Sequence, residues 1–276
     1  MSPSSSSRSA AAAAAAAATT RGGRRRAPLA TTLLLLVAAA ALAKPSSAAT
    51  LPKASCLVVL DVDRTLTGQQ DSGGAGSGTN TCPDDRSFKN IQDTAYLTNG
   101  HLTLSDFALK IASTKAGKHC YLGVITAGTM KHGLDDEHKL ISYQLSSDNG
   151  NTKTPRQKEM TWAHAKGTTP APLLHSADPV AKFKAVPLIQ QFYKQAAGVL
   201  IPDSAVFMFD DVEANIASWK NTNYNAHQIS CGTRSDDPTK NPPASRYGIG
   251  KCGATAAEVD ALTFKTGCSL CRKSTC

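Results

Sequence analysis

The residues best equipped for chemistry in this chain are acids that stand directly after apolar runs. Asp61-Val62-Asp63-Arg64-Thr65 follows Cys56–Leu60 (CLVVL), and Asp210-Asp211 follows Ala205–Phe209 (AVFMF). Thr126 follows a further run, Tyr121–Ile125 (YLGVI), and Lys182 and Lys184 precede the helical pattern that leads into Ala205–Phe209. Carboxylates gathered at one place repel each other and require a cation. Oxygen-only ligands favour a hard cation, Mg²⁺ where phosphate is present. A threonine hydroxyl and a lysine would bind the other oxygens of a phosphoryl group. One aspartate can then act as nucleophile, forming an aspartyl-phosphate, while a carboxylate two residues on protonates the leaving oxygen and later activates water. The set is complete for phosphoryl transfer: Asp61, Asp63, Thr126 and Lys184 or Lys182 as catalytic candidates, with Asp61, Asp63, Asp210 and Asp211 as metal-ligand candidates. Plainer roles exist for each. Threonine ends many strands, lysines at helix entries are commonly solvated, and Asp210 or Asp211 could cap the helix that follows. Of the two lysines, Lys184 is slightly preferred.

For these groups to meet, the apolar runs must be adjacent parallel strands, because ligands in open α/β sheets bind outside the strands' carboxyl ends. The rest of the chain supports that arrangement. CLVVL, YLGVI and AVFMF are short continuous apolar runs, as strands buried on both faces should be, and Asn225–Ser230 reads as a fourth. Leu104, Phe107, Ala108 and Ile111 fall at helical spacing, as do residues within Gly133–Leu145. A helix with Pro187 in its first turn stops at Gly198, and a short one spans Val212–Lys220. The Gly/Ser-rich stretch 68–99 reads as a loop insertion, and 146–178 as irregular. Strands alternating with helices predict an α/β three-layer, Rossmann-like domain with a parallel sheet.

The strand followed by Asp61-Val62-Asp63-Arg64-Thr65-Leu66 resembles the first motif of the haloacid dehalogenase superfamily, hhhDxDx(T/V), where h is apolar. Thr126, Lys182 or Lys184, and Asp210-Asp211 follow in that family's order, with Asn215 completing an Asp-Asp-x-x-x-Asn pattern. The resemblance covers roughly Cys56 to Ser230. It implies that Asp61 is the nucleophile and Asp63 the general acid/base. Mg²⁺ would be held by Asp61, the Asp63 carbonyl and Asp210 or Asp211, with Thr126 and the lysine on the phosphoryl oxygens. An acid at Asp63 marks the phosphatase and phosphomutase branches. The spacings leave room only for a small or absent cap, which in this family often accompanies larger substrates.

The formal charge of +9 over 276 residues suggests a nucleic-acid or membrane partner until its position is examined. Residues 1–49 carry six of the 30 basic residues and none of the 21 acids, so the remaining 24 bases and 21 acids leave +3. The charge belongs to a leader. An arginine cluster, Arg21–Arg26, precedes the apolar stretch Ala27–Ala43, and Ser47-Ala48-Ala49 offers a cleavage site. A secretory signal fits, giving a secreted or lumenal protein without stable membrane insertion after cleavage. Plastid (thylakoid-lumen) import and a membrane anchor are the alternatives. The partner expected is a phosphorylated substrate, not nucleic acid.

All 8 cysteines lie beyond the leader, which favours disulfides. Cys56 and Cys120 would serve equally as buried thiols, and Cys268-x-x-Cys271 could be a zinc or redox site. The domain reading is a leader over 1–49, an α/β domain over 50–230, and a Cys-rich extension over 231–276 packed on the same domain. The favoured function is a Mg²⁺-dependent phosphomonoesterase. A non-catalytic secreted domain that keeps the acidic rim as a ligand site is the alternative from another class, and a phosphate-accepting receiver domain is a third.

Overall fold

Residues of one strand alternate between the two faces of its sheet, so a strand apolar at every position must be covered on both. The first strand, β1 (Leu57–Leu60), is buried throughout and has this character. Val58 and Leu60 pack with one group of apolar side chains, Leu57 and Val59 with another. The computed structural model describes residues 56–68, 82, 84–93, 101–129, 135–233, 252–271 and 276. All of these belong to one compact unit, Thr50–Cys276. The leader expected over 1–49 lies outside the described residues, as does the GGAGSG stretch at Gly73–Gly78.

After β1 come β2 (Arg86–Gln92), β3 (His101–Leu104), α1 (Asp106–Lys110), α2 (Lys115–His119), β4 (Tyr121–Ile125) and α3 (Asp135–Leu145). Then follow β5 (Trp162–His164), β6 (Leu173–His175), α4 (Val186–Ala197), β7 (Val206–Asp210), α5 (Glu213–Ala217), β8 (Asn225–Gln228), α6 (Ala256–Leu262) and β9 (Cys268–Ser269). Seven strands form one sheet in the order β5-β6-β4-β1-β7-β8-β9, and every neighbouring pair is parallel. One face buries Leu122, Val124, Leu173 and Phe209 against Phe107 of α1, Ala116 of α2, Ile141 and Leu145 of α3, and Val259 of α6. The other buries Ile125, Leu174 and Met208 against Val186, Ile189 and Tyr193 of α4 and Ile216 of α5. Each buried Val, Leu, Ile, Met or Phe side chain among these contributes roughly 1.5–3 kcal/mol of apolar burial. Helix α4 sits close to the sheet because β4 carries Gly123, where a Cβ would come within 3.0 Å of Ile189. The helix has Pro187 in its first turn and ends at Gly198 with φ 64°, as its sequence predicts.

The α/β class and parallel sheet stand as expected, and two regions differ from the sequence reading. Residues 146–178, expected to be irregular, contribute β5 and β6; at three residues each, these strands are too short to show a periodicity. β2, inside the 68–99 insertion, pairs antiparallel with β3 just after it, and Leu104 closes β3 instead of opening a helix. The Cys-rich extension is structural: α6 covers one face and β9 extends the sheet.

Four disulfides, Cys56–Cys120, Cys82–Cys252, Cys231–Cys271 and Cys268–Cys276, use all eight cysteines. The first joins the starts of β1 and β4, so these are not free thiols. Cys268 and Cys271 belong to different bridges and form neither a redox pair nor a zinc site. This density of bridges fits an oxidising compartment. No helix among the described residues is long and apolar enough to cross a membrane.

Candidate active site

Register brings the acids together. Leu60 of β1 aligns with Val124 of β4 and Phe209 of β7, so the residues following these strands lie at one rim. The amide of Asp61 donates to the Phe209 carbonyl at 3.0 Å, holding the first acid beside the pair Asp210-Asp211. Carboxylate oxygens of Asp61, Asp210 and Asp211 all lie within 4.8 Å of one another, and the three residues are buried.

Lys182 enters this cluster from the other side. Its Nζ lies 2.7 Å from Asp61 Oδ1 and donates to Asp210 Oδ2 at 2.6 Å, with the lysine side chain 1% exposed. Lys184, the slightly preferred candidate, faces solvent and does not join the site. The reason is local. Lys182 lies in a 3₁₀ segment, Pro179–Ala185, that runs into α4 with a kink at Ala181 (φ −141°, ψ 27°). Positions 182, 186, 189 and 193 share one helical stripe, and Val186, Ile189 and Tyr193 are its buried members. Extending the α4 pattern backward would have selected Lys182; Lys184 falls off the stripe.

Asp210 is the most constrained acid. Its Oδ1 accepts from the Val212 amide at 2.8 Å and Asn215 Nδ2 at 3.1 Å, while Oδ2 accepts from Lys182 and from Asn215 Nδ2 at 3.0 Å. It therefore organises its neighbours and engages the amide at the start of α5, a plainer role that the sequence also allowed. Asp211 lies 3.9 Å from the Arg64 guanidinium. Asp63 is half-buried on an extended backbone, and Arg64 after it is left-handed at φ 55°. Thr126 is buried at the end of β4, where its amide donates to the Leu174 carbonyl and its Oγ1 accepts from Gly128 N at 3.1 Å.

Electrostatics follow from the crowding. Burial pushes the Asp61 carboxyl well above the usual carboxylate range; Lys182 opposes this, and Asp210, Asp63 and Asp211 add to it. Burial works against the charge of Lys182 too, but Asp210 and then Asp61 outweigh it and hold the ammonium above the ordinary lysine range. When all are ionised, the three buried carboxylates outnumber the cations beside them, Lys182 and the Arg64 guanidinium, and present several oxygen donors at one place. That donor set fits a hard divalent cation. A grouping of Cys82, Asp85 and Cys252 does not fit one, since its cysteines are disulfide-bonded.

No protein-family model matches this chain, and no curated protein matches it. The functional reading therefore rests on the geometry of the rim. That rim extends past Thr126 to two histidines the sequence reading passed over. His164 and His175 are register partners on β5 and β6 with ring centroids 5.2 Å apart. Burial, then His164, lowers the His175 pKa. The three-residue strands that hold them gave no periodic signal.

Proposed function

We propose that this chain is a Mg²⁺-dependent phosphomonoesterase of the haloacid dehalogenase superfamily, phosphatase branch, acting through an aspartyl-phosphate on Asp61. The observation that carries the reading is Lys182 held between Asp61 and Asp210, with Asp211 in the same carboxylate cluster. Mg²⁺, held by Asp61, Asp211 and the Asp63 carbonyl, would neutralise charge on the acids and on the phosphoryl oxygens.

Asp61 attacks phosphorus in line with the ester oxygen. The new bond is Oδ–P, and the bond that breaks is P–O to the leaving group. Asp63, half-buried and so reachable by a substrate, gives its proton to the departing oxygen. Lys182 keeps Asp61 oriented and Thr126 holds a phosphoryl oxygen through its hydroxyl. In the second half Asp63, now a carboxylate, takes a proton from water, which attacks the phospho-Asp61 and releases inorganic phosphate. Asp210 touches no substrate in this scheme; it positions Lys182.

The β2–β3 hairpin lies between β1 and α1, where a cap would enter, and the short spacings from Asp63 to Thr126 and from Thr126 to Lys184 favour a small cap, an open site and larger phosphorylated substrates. The disulfides support export to a secretory or other lumenal compartment. The test is turnover of an aryl phosphate with and without Mg²⁺. Asp61→Asn should abolish it while the far-UV circular dichroism and a cooperative melting transition are retained. Phosphate binding by wild-type protein with no hydrolysis under any divalent cation would sink the reading in favour of a ligand-binding rim.

A further inference from the structure

The parallel ladder between β4 and β6 gains one residue just where it reaches the rim. Val124 and Ile125 pair in register with Leu173 and Leu174. The amide of Thr126 then donates to the Leu174 carbonyl at 2.9 Å, so Thr126 stands level with His175. A regular ladder would next bring the Ser176 amide to the Thr126 carbonyl. Instead the Ala177 amide fills that place at 3.0 Å, and the Ser176 amide donates to the Gly128 carbonyl at 2.8 Å. Ser176 is the extra residue of a β-bulge, and its φ of 57° lies in the left-handed region. Bulges and left-handed residues with a Cβ both concentrate at functional sites, where they re-aim a neighbouring group.

The group re-aimed here is Thr126. Its carbonyl is held by Ala177 and the Gly128 carbonyl by Ser176, so consecutive amides clamp both ends of the segment 126–128. That clamp sets the Gly128 amide, which donates to Thr126 Oγ1 at 3.1 Å. A hydroxyl has one proton to give and two lone pairs to offer. An N–H facing the oxygen occupies a lone pair and leaves the proton to be donated, as a phosphoryl oxygen requires. The Ser176 hydroxyl is not part of this clamp; it lies 3.0 Å from His175 Nδ1. What Ser176 contributes to Thr126 is therefore backbone shape.

We propose that Ser176 is a positioning residue for phosphoryl binding: its left-handed bulge fixes the turn that orients the Thr126 hydroxyl. This rests on the phosphohydrolase reading above, in which Thr126 holds a phosphoryl oxygen. Two substitutions separate shape from hydroxyl, because glycine adopts positive φ freely while a β-branched residue there is an outlier. Ser176→Gly removes the hydroxyl and keeps the shape. Ser176→Thr keeps the hydroxyl and resists the shape.

The experiment measures KM and kcat on an aryl phosphate, and inhibition by inorganic phosphate, in the full-length protein below its melting transition. Ser176→Thr should raise KM and the phosphate inhibition constant by about 3- to 10-fold, as weakening one hydrogen bond would, with a smaller change in kcat. Ser176→Gly should retain the wild-type constants. Thr126→Val should raise both at least as far as Ser176→Thr does, and combining the two should cost nothing more, since they act through one hydroxyl. Should Ser176→Thr not fold, Ser176→Ala takes its place. It loses the same hydroxyl as Ser176→Gly but carries a Cβ, so its KM should exceed that of Ser176→Gly, and an equal KM overturns the role. Equal losses in Ser176→Gly and Ser176→Thr, an unchanged KM in Ser176→Thr, or additive losses in the double variant also overturn it, and leave the phosphohydrolase reading intact. No turnover by wild type under any divalent cation overturns that reading instead. Calorimetric titration of the same variants with inorganic phosphate then still decides whether the bulge sets phosphate binding.

Discussion

The ammonium of Lys182 lies 2.6 Å from Asp210 Oδ2, with the two side chains 1% and 0% exposed. A buried pair of this kind is a poor source of net stability but a costly one to break, because the survivor is left charged and desolvated. Here the survivor would be two acids, since Lys182 also faces Asp61. Lys182→Met should therefore lower stability by about 3–5 kcal/mol and remove turnover. Lys184→Met, on the exposed side of the same segment, should change stability by no more than about 0.5 kcal/mol. Urea melts and aryl phosphate assays on both variants check this; equal effects would mean that the stripe through 182, 186, 189 and 193 does not set the lysine.

A second prediction concerns pH. The Asp61 carboxyl is raised well above the usual carboxylate range, first by burial. A group raised on folding binds its proton more tightly in the folded chain. Its contribution is full below the ordinary carboxylate range and is lost as pH climbs through the raised value. Metal-free protein should accordingly lose stability as pH rises through that window, and Asp61→Asn, which cannot ionise, should flatten the slope. A divalent cation displaces that proton, so its stabilisation should grow with pH. Urea midpoints across pH, with a chelator and then with Mg²⁺, read both effects. A wild-type slope unchanged in Asp61→Asn would place the titrating group elsewhere.

How much of this was legible in the sequence depends on how locally each feature is encoded. CLVVL, YLGVI and AVFMF carried their strands and placed Asp61, Thr126 and Asp210 at one rim, because an uninterrupted apolar run states both burial and a stopping point. Helix α4 was legible through Pro187 and Gly198. Strands β5 and β6 were not, since three residues cannot display a period and their burial is imposed by β4 beside them. The pairing of eight cysteines is a property of the tertiary fold, most plainly for Cys82 and Cys252, which are 170 residues apart. Asp210 and Asp211 look alike in sequence; only the bonds from Val212, Asn215 and Lys182 separate their roles.

Loop length should rank two of the disulfides. Cys82–Cys252 spans 170 residues and Cys268–Cys276 spans 8. In the loop-closure view the longer bridge restricts the unfolded chain more, by about 2–3 kcal/mol. Replacing Cys82 and Cys252 together by serine should therefore cost more than replacing Cys268 and Cys276. Melting temperatures of the two double variants test it, and the reverse order would show that native packing, not chain entropy, sets the ranking.

The last prediction follows the route from the C-terminal extension to the site. Glu258 of α6 accepts from the Ser230 amide at 2.9 Å and the Cys231 amide at 2.8 Å. The Ser230 hydroxyl in turn donates to the Arg64 carbonyl, and Arg64 faces Asp211. Glu258 is thus the anchor that sets where Ser230 holds the left-handed turn after Asp63. Glu258→Ala leaves two amides without their carboxylate and should cost about 1.5–3 kcal/mol. Glu258→Gln keeps one acceptor oxygen and should cost less. If the route carries position as well as stability, Glu258→Ala should also lower kcat at temperatures where it is fully folded, with Ser230→Ala showing the same loss. Normal kcat in a folded Glu258→Ala would confine the extension to a structural role.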